Sequence, residues 1–333
     1  MNCFFSSDPF KMNRNIAVLD LQLIEPEPWQ LLEPLPLSVH PACVYLSQLS
    51  ERSRDTMRRH LNAIARLLTG NRCDYLNLDW AKLRYQHTAL LRTELPRTFA
   101  ATTVNQMLSA LKQVLSEARK LHLMSLEDYT DAVTLKPMKT SSQLKGRLLS
   151  SLEMQALMSV CLADLSLIGR RDAALVAILL GTGMRRAEVV RLNLEDYQPP
   201  GTLMIRQGKG SKARTVYLPS ECWAILNQWL LVRGSSPGAL LMSISKGNHL
   251  LGRRLSEQAV LFLLQKRGQD AQIQPFTPHD CRRTFISGLL AAGIDLVTVS
   301  QLAGHTSVTT TAKYDRRGEE VKRQAVESLT LPF

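Results

Sequence analysis

Six side chains in the second half of this 333-residue chain could together transfer a phosphodiester without a metal: Arg185, Lys209, His279, Arg282, His305 and Tyr314. The trigonal-bipyramidal transition state of that reaction gathers negative charge. Guanidinium and imidazole donors aimed at it in advance are worth ~3–4 kcal/mol each. A free phenol has a pKa of about 10. It becomes a usable nucleophile only beside a base or beside cations that favour phenolate. The leaving 5′-oxygen needs a proton, which a nearby lysine can supply.

Taken singly, each of these residues has a plainer reading. His279 and Arg282 stand three apart on one helix face, a pattern commonly found on solvated surfaces. Tyr314 follows a Thr-rich helix, where a tyrosine usually packs half-buried. Arg185 could simply form an interhelical salt bridge with Glu188, and Lys209 could serve solubility at a hairpin tip. The GKGS run around Lys209 lacks the GxxxxGK[ST] spacing of a phosphate-cradling loop and joins two strands, so an NTPase is excluded. The plain readings weaken because all six occur together.

The elements that must carry these residues are legible. In TPHDCRRTFISGLLAAG, Thr277 suits an N-cap, Pro278 the first helical position and Gly293 the stop. His279 and Arg282 then lie near the positive end of that helix, where a phosphate is the natural partner. In LAGHTSVTTTAKY, Gly304 ends a helix that begins near Asp295, His305 follows it, and a short helix from Ser307 leads to Tyr314. In GTGMRRAEVVRL, two glycines bend the chain between an apolar helix and one starting near Arg186. TLMIRQ and RTVYLP read as two strands flanking Gly208 to Ser211. Beyond Pro219 the pattern is otherwise helical to the C-terminus.

Residues 1–38 are rich in Pro and Glu and read as a surface or partly disordered extension. Residues 39–135 carry helical stripes: Met57, Leu61, Ile64 and Leu68 before Gly70, then Val104 to Ala118 behind a Thr102–Thr103 start. Ser125 with Asp128, and Ser150 with Glu153, resemble capping boxes. Residues 136–148 are polar and basic and read as a linker, residues 149–318 as a catalytic domain and 319–333 as a tail. The expected fold is mainly α with a small β-sheet: an all-α domain followed by a mixed α/β domain.

The formal charge of +12 points to a polyanionic partner. It is net −3 over residues 1–50, +6 over 51–143 and +9 over 144–333, so both expected domains are basic. No apolar run approaches the ~20 residues of a membrane span, and no secretory leader is evident. The six cysteines form no CxxC pair, which suits buried thiols in a cytoplasmic protein and neither disulfides nor zinc. No metal and no cofactor are expected.

The order and spacing of these motifs resemble the tyrosine recombinase (phage integrase) family, especially its compact Xer-like members, over about residues 40 to 320. The resemblance implies that Arg185, Arg282 and His305 grip the scissile phosphate and Tyr314 attacks it. It further implies His279 as base, Lys209 as acid and Glu188 as a support. It implies a helical core-binding domain at 39–135 and a C-shaped clamp on double-stranded DNA. Active members work as tetramers on paired sites, with residues 319–328 docking onto a neighbour and accessory proteins possible. Candidate DNA contacts are Arg58, Arg59, Arg66, Lys112, Arg119, Lys145, Arg147, Lys212, Arg214 and Arg283, to phosphate more than to bases. Cys281 stands where a large aliphatic residue is usual. Integration, excision and resolution all remain open as the biological role. The rival readings are a silent DNA-binding regulator of the same fold, a type IB topoisomerase and, from basicity alone, an RNA-binding protein. With His279 as base, cleavage should weaken below about pH 6.5.

Overall fold

Helix starts in this chain are written locally. Ser150 Oγ accepts from the Glu153 amide while the Glu153 carboxylate accepts from the Ser150 amide, which starts α6 (Ser151–Ala163). The computed structural model describes residues 29–139, 146–206 and 213–315, together with positions 323, 326 and 327. The chain divides into two compact units, 1–142 and 143–333.

The first unit is helical: α1 (Pro41–Ser47), α2 (Glu51–Thr69), α3 (Tyr85–Glu94), α4 (Ala101–Lys120) and α5 (Leu126–Val133). Its core gathers Leu61, Ile64 and Leu68 of α2 with Val104, Met107, Leu111, Val114 and Leu115 of α4. Gly70, with φ near +58°, ends α2, and Ser125 caps α5 by accepting from the Asp128 amide. α4 begins one residue earlier than its threonines suggest, behind Ala100.

One residue of the stretch read as an N-terminal extension packs into this unit. Trp29 is buried in this core, edge-on to His87, and its carbonyl accepts from Asp79 while Leu31 donates to Asn77. A Pro- and Glu-rich stretch shows no periodicity, yet one indole with two backbone bonds suffices to dock it. Residues 1–28 lie outside the described residues. The linker, too, is held where it is described: Asn105 bonds both the amide and the carbonyl of Met138, and Arg92 donates to the Lys136 carbonyl.

In the second unit α7 (Leu167–Thr182) is buried on nearly all sides and forms its centre. α6, α9 (Ser220–Arg233) and α11 (Pro278–Ala291) pack around it. α8 (Arg186–Arg191) follows α7 across the Gly183 turn, and α10 (Glu257–Asp270) precedes α11. A three-stranded antiparallel sheet runs β1 (Tyr197–Gln198), β2 (Thr202–Ile205), β3 (Arg214–Tyr217), with Thr202 opposite Tyr217 and Ile205 opposite Arg214. A second hairpin, β4 (Met242–Ile244) with β5 (Leu250–Arg254), interrupts what the sequence suggests is all helix beyond Pro219. Its turn carries Gly247 and Asn248, the latter at φ +60°, a signal overshadowed by the flanking apolar residues. α12 (Leu296–Ala303) and α13 (Val308–Ala312) close the unit. Among the described residues no helix is long and apolar enough to cross a membrane.

Replacing Trp29 by Ala should lower the unfolding free energy of the full chain by about 3 kcal/mol. Denaturant titration checks this, and an unchanged midpoint would return residues 29–38 to a loose extension.

Candidate active site

Arg185, His279, His305 and Tyr314 sit beside the ends of elements, where backbone groups are unsatisfied. Arg185 is the N-cap of α8; its amide donates to Glu188 Oε2 and its Nη1 to Oε1, at 2.9 and 2.8 Å. The pairing with Glu188 anticipated as a plain alternative therefore exists, within one helical turn. It does not bury the guanidinium, which also donates to the Gly304 carbonyl at 2.9 Å. Arg282 and His279 ride on α11, opened by Thr277, whose amide and hydroxyl both donate to Asp280. Arg282 Nη1 reaches the carbonyl of Gly183 at 2.9 Å, the C-terminal end of α7, where a cation is favoured. Gly183 is at φ +61°, and a Cβ there would lie 2.4 Å from the Phe285 ring, so only glycine lets α7 approach α11 this closely.

Gly304, at φ +67°, ends α12 and places His305 against the other side of the site. His305 Nδ1 bonds Thr311 Oγ1 at 2.8 Å, which leaves Nε2 for a ligand. Thr311 is fully buried and was not anticipated; its only trace in the sequence is the threonine run. Tyr314 follows α13. Its ring stacks on His305 at 5.9 Å, and its hydroxyl lies 3.4 Å from His279 Nε2.

The structure thus brings Arg185, His279, Arg282, His305 and Tyr314 together. Lys209 lies outside the described residues, as do Lys145 and Lys212. The expected DNA contacts divide. Arg58, Arg59 and Arg66 are exposed on α2, Arg58 pairing with Asp55. Lys112 donates to the Leu135 carbonyl, and Arg119 lies over the Tyr129 ring. Arg147, Arg214 and Arg283 are turned inward, contrary to expectation. Arg147 pairs with Glu153 and donates to the carbonyls of Gln274 and Pro275. Arg214 is clamped to Glu188, and Arg283 is buried beneath the Tyr314 ring. A guanidinium reads as surface in a sequence because its partners are distant in the chain.

Cations crowded together depress one another's protonation. Burial, then Arg185, pushes Arg282 down to about 10. Burial, then Arg282 and Arg185, pushes His305 down to about 4. His279 is lowered by burial and by Arg283 and Arg282. It therefore stays neutral, and able to accept a proton, below the pH of about 6.5 expected for an ordinary imidazole.

The chain belongs to the phage integrase family, whose match spans residues 147–320, over half of the sequence. The tyrosine recombinase XerC of Stutzerimonas stutzeri (strain A1501) is 30% identical over 274 residues, covering 80% of this chain and 86% of that protein. The tyrosine recombinase XerA of Pyrococcus furiosus is 33% identical over 162 residues, 48% of this chain and only 55% of its own length. Among solved structures, that of the Tn1549 transposon integrase in complex with transposon right end DNA aligns with a TM-score of 0.66 at 14% identity. It covers 86% of this chain and 98% of the other, a likeness of fold.

His305 binds its proton more weakly folded than unfolded, so the unfolded chain is protonated first as pH falls. Its contribution to stability is complete above about pH 6.5 and is lost between there and pH 4. The loss should be about 2 kcal/mol after solvent screening of the half-buried ring. Urea titrations at pH 7 and 4.5 should show it in the wild type and much less of it in His305→Gln. Equal pH slopes in the two proteins would contradict this assignment.

Proposed function

We propose that this chain is a site-specific DNA recombinase that cleaves and exchanges strands through a 3′-phosphotyrosine at Tyr314. One observation carries the reading. Arg282 Nη2 is buried with no hydrogen-bond partner among the described residues. An unmet donor on a charged group costs at least ~1–3 kcal/mol, so its retention beside the Tyr314 phenol calls for an anionic ligand. A scissile phosphate at that point would accept from Arg282 and from the outward donors of Arg185 and the Nε2 of His305.

The Tyr314 oxygen attacks phosphorus and its proton passes to His279, 3.4 Å away. The bond from phosphorus to the 5′-oxygen breaks, and Lys209 protonates that oxygen. In exchange, the 5′-hydroxyl of a partner strand attacks the phosphotyrosine and restores the phenol. Each bond broken is matched by one formed, so no nucleotide cofactor is required. Glu188 holds Arg185 in place.

The helical unit serves as the core-binding domain on double-stranded DNA, with Arg58, Arg59 and Arg66 of α2 against phosphates. Lys112 and Arg119 are weaker candidates. The working form is a tetramer on paired core sites in the cytoplasm, on the nucleoid, with residues 319–333 docking between protomers; accessory proteins are compatible with it. Of residues 319–333, only positions 323, 326 and 327 are described, with Val326 exposed.

Nicked suicide duplexes cut from the DNA flanking the gene, incubated in EDTA and run on a denaturing gel, test the reading. Wild type should give an adduct that survives detergent, Tyr314→Phe none, and Arg282→Ala a rate about 10²–10³ lower. Binding without an adduct in the wild type would make the chain a silent regulator instead. Adduct formation with relaxation but no strand exchange would make it a topoisomerase.

A further inference from the structure

Arg214 has a role that neither its position in a basic strand nor the six reactive side chains suggests. It starts β3, and all its nitrogens are turned inward. Nη1 and Nη2 donate to the two oxygens of Glu188 at 3.1 and 2.7 Å, and Nε donates to the Leu302 carbonyl at 3.1 Å. Glu188 therefore receives four donors, two from Arg214 and two from Arg185, one of these the Arg185 amide. That fills the acceptor sites of a carboxylate.

The two arginines are not equivalent. The Arg214 side chain is 11% exposed and the Arg185 side chain 43%. Arg214 is consumed by the fold, whereas Arg185 spends one donor on Glu188 and one on Gly304 and, among the described residues, keeps three of its five N–H groups for a ligand. The pair also caps α12: Arg214 takes the Leu302 carbonyl and Arg185 that of Gly304, immediately before His305. The fit is tight, because a Cβ on Gly304 would lie 2.6 Å from the Arg214 guanidinium carbon.

We infer that Arg214 is a positioning residue for the reaction. By holding Glu188 from the buried side and sealing the end of α12, it fixes where the Arg185 guanidinium and the His305 ring point. Without it, Glu188 is free to take a second bond from the Arg185 guanidinium and draw that group away from the phosphate. Burial alone would raise the Glu188 carboxyl; the hydrogen bonds from Arg214 and the Arg185 amide instead hold it down to about 2, so the anchor stays charged at any working pH.

The inference rests on the proposed strand cleavage, and its test separates the two. Single-turnover adduct formation on the suicide duplex is compared for wild type, Arg214→Met, Arg214→Lys, Arg185→Ala and the Arg185→Ala/Arg214→Met pair. Arg214→Met should cleave about 30- to 100-fold more slowly while its DNA affinity changes less than threefold. Arg214→Lys, which keeps the charge but not the paired bonds, should recover under tenfold of that loss. The double variant should be no slower than Arg185→Ala alone, since both changes remove one function.

A methylphosphonate at the scissile position removes the charge that the guanidiniums serve. On that duplex Arg214→Met should come within a few-fold of wild type. A merely loosened fold would leave the same deficit on both duplexes, and that result would overturn the inference, as would additive losses in the double variant. Absence of any wild-type adduct would instead remove the strand-cleavage reading. A wild-type adduct with Arg214→Met equally fast would remove only the positioning role.

Discussion

Like charges crowd the centre of the second unit, and the architecture around them answers that repulsion. Arg185, Arg214, Arg282 and Arg283 stand with two imidazoles around one phenol, and Glu188 and Asp280 are acidic groups that act on them. In a partly dry interior such a cluster is costly unless dipoles or counter-charges are fixed near it. Helix ends supply part of the compensation. The carbonyls of Gly183, Leu302 and Gly304, at the C-termini of α7 and α12, each accept from a guanidinium. Glu188, bonded to Arg185 and Arg214, and Asp280, beside His279, supply more. What remains uncompensated is concentrated at Arg282 and Arg185, which is where a phosphodiester would be bound.

Burial, and then the same crowding, sets the state of the imidazoles. A histidine beside a carboxylate would be charged near neutrality and unable to take a proton. His279 is lowered by burial first and then by Arg283 and Arg282, so its ring stays neutral beside the Tyr314 hydroxyl. Burial and repulsion weaken this imidazole as a base but keep it unprotonated, the state that the proposed transfer from Tyr314 requires.

Much of this was legible in the sequence because it is local. Ser150, Thr277, Asp295 and Ser307 each sit at the helix start that their own side chains suggested, and Gly183 and Gly304 each end one. Hydrogen bonds spanning two or three residues leave a pattern that can be read without the fold. Arg214 shows where this stops. Its partners are 26 and 88 residues away, and in a basic strand it looks like any surface arginine. Arg283 and Arg147 fail for the same reason. Trp29 is the opposite case, an apolar residue in polar surroundings whose pocket exists only after α3 and the 74–80 turn have folded. Lys209 lies outside the described residues; the strands on either side of it are the ones the sequence suggested, paired with Ile205 opposite Arg214.

The packing separates the residues that would hold the phosphate from the one that would attack it. α11 contributes Cys281 to the large core built around α7, and Arg282 stands next to it. One turn on, Ile286 and Leu290 of the same helix belong to a small separate cluster with Val299, Ala303 and Tyr314. Tyr314 is therefore attached through a handful of apolar contacts and a five-residue helix, whereas Arg282 stands beside the main core. Local opening free energy follows the apolar surface that an element buries, so α13 and Tyr314 can shift at far lower cost than α11 can. An enzyme that carries a strand on its tyrosine while the phosphate site stays intact needs that division. Here it arises from which face of α11 each half of the helix buries.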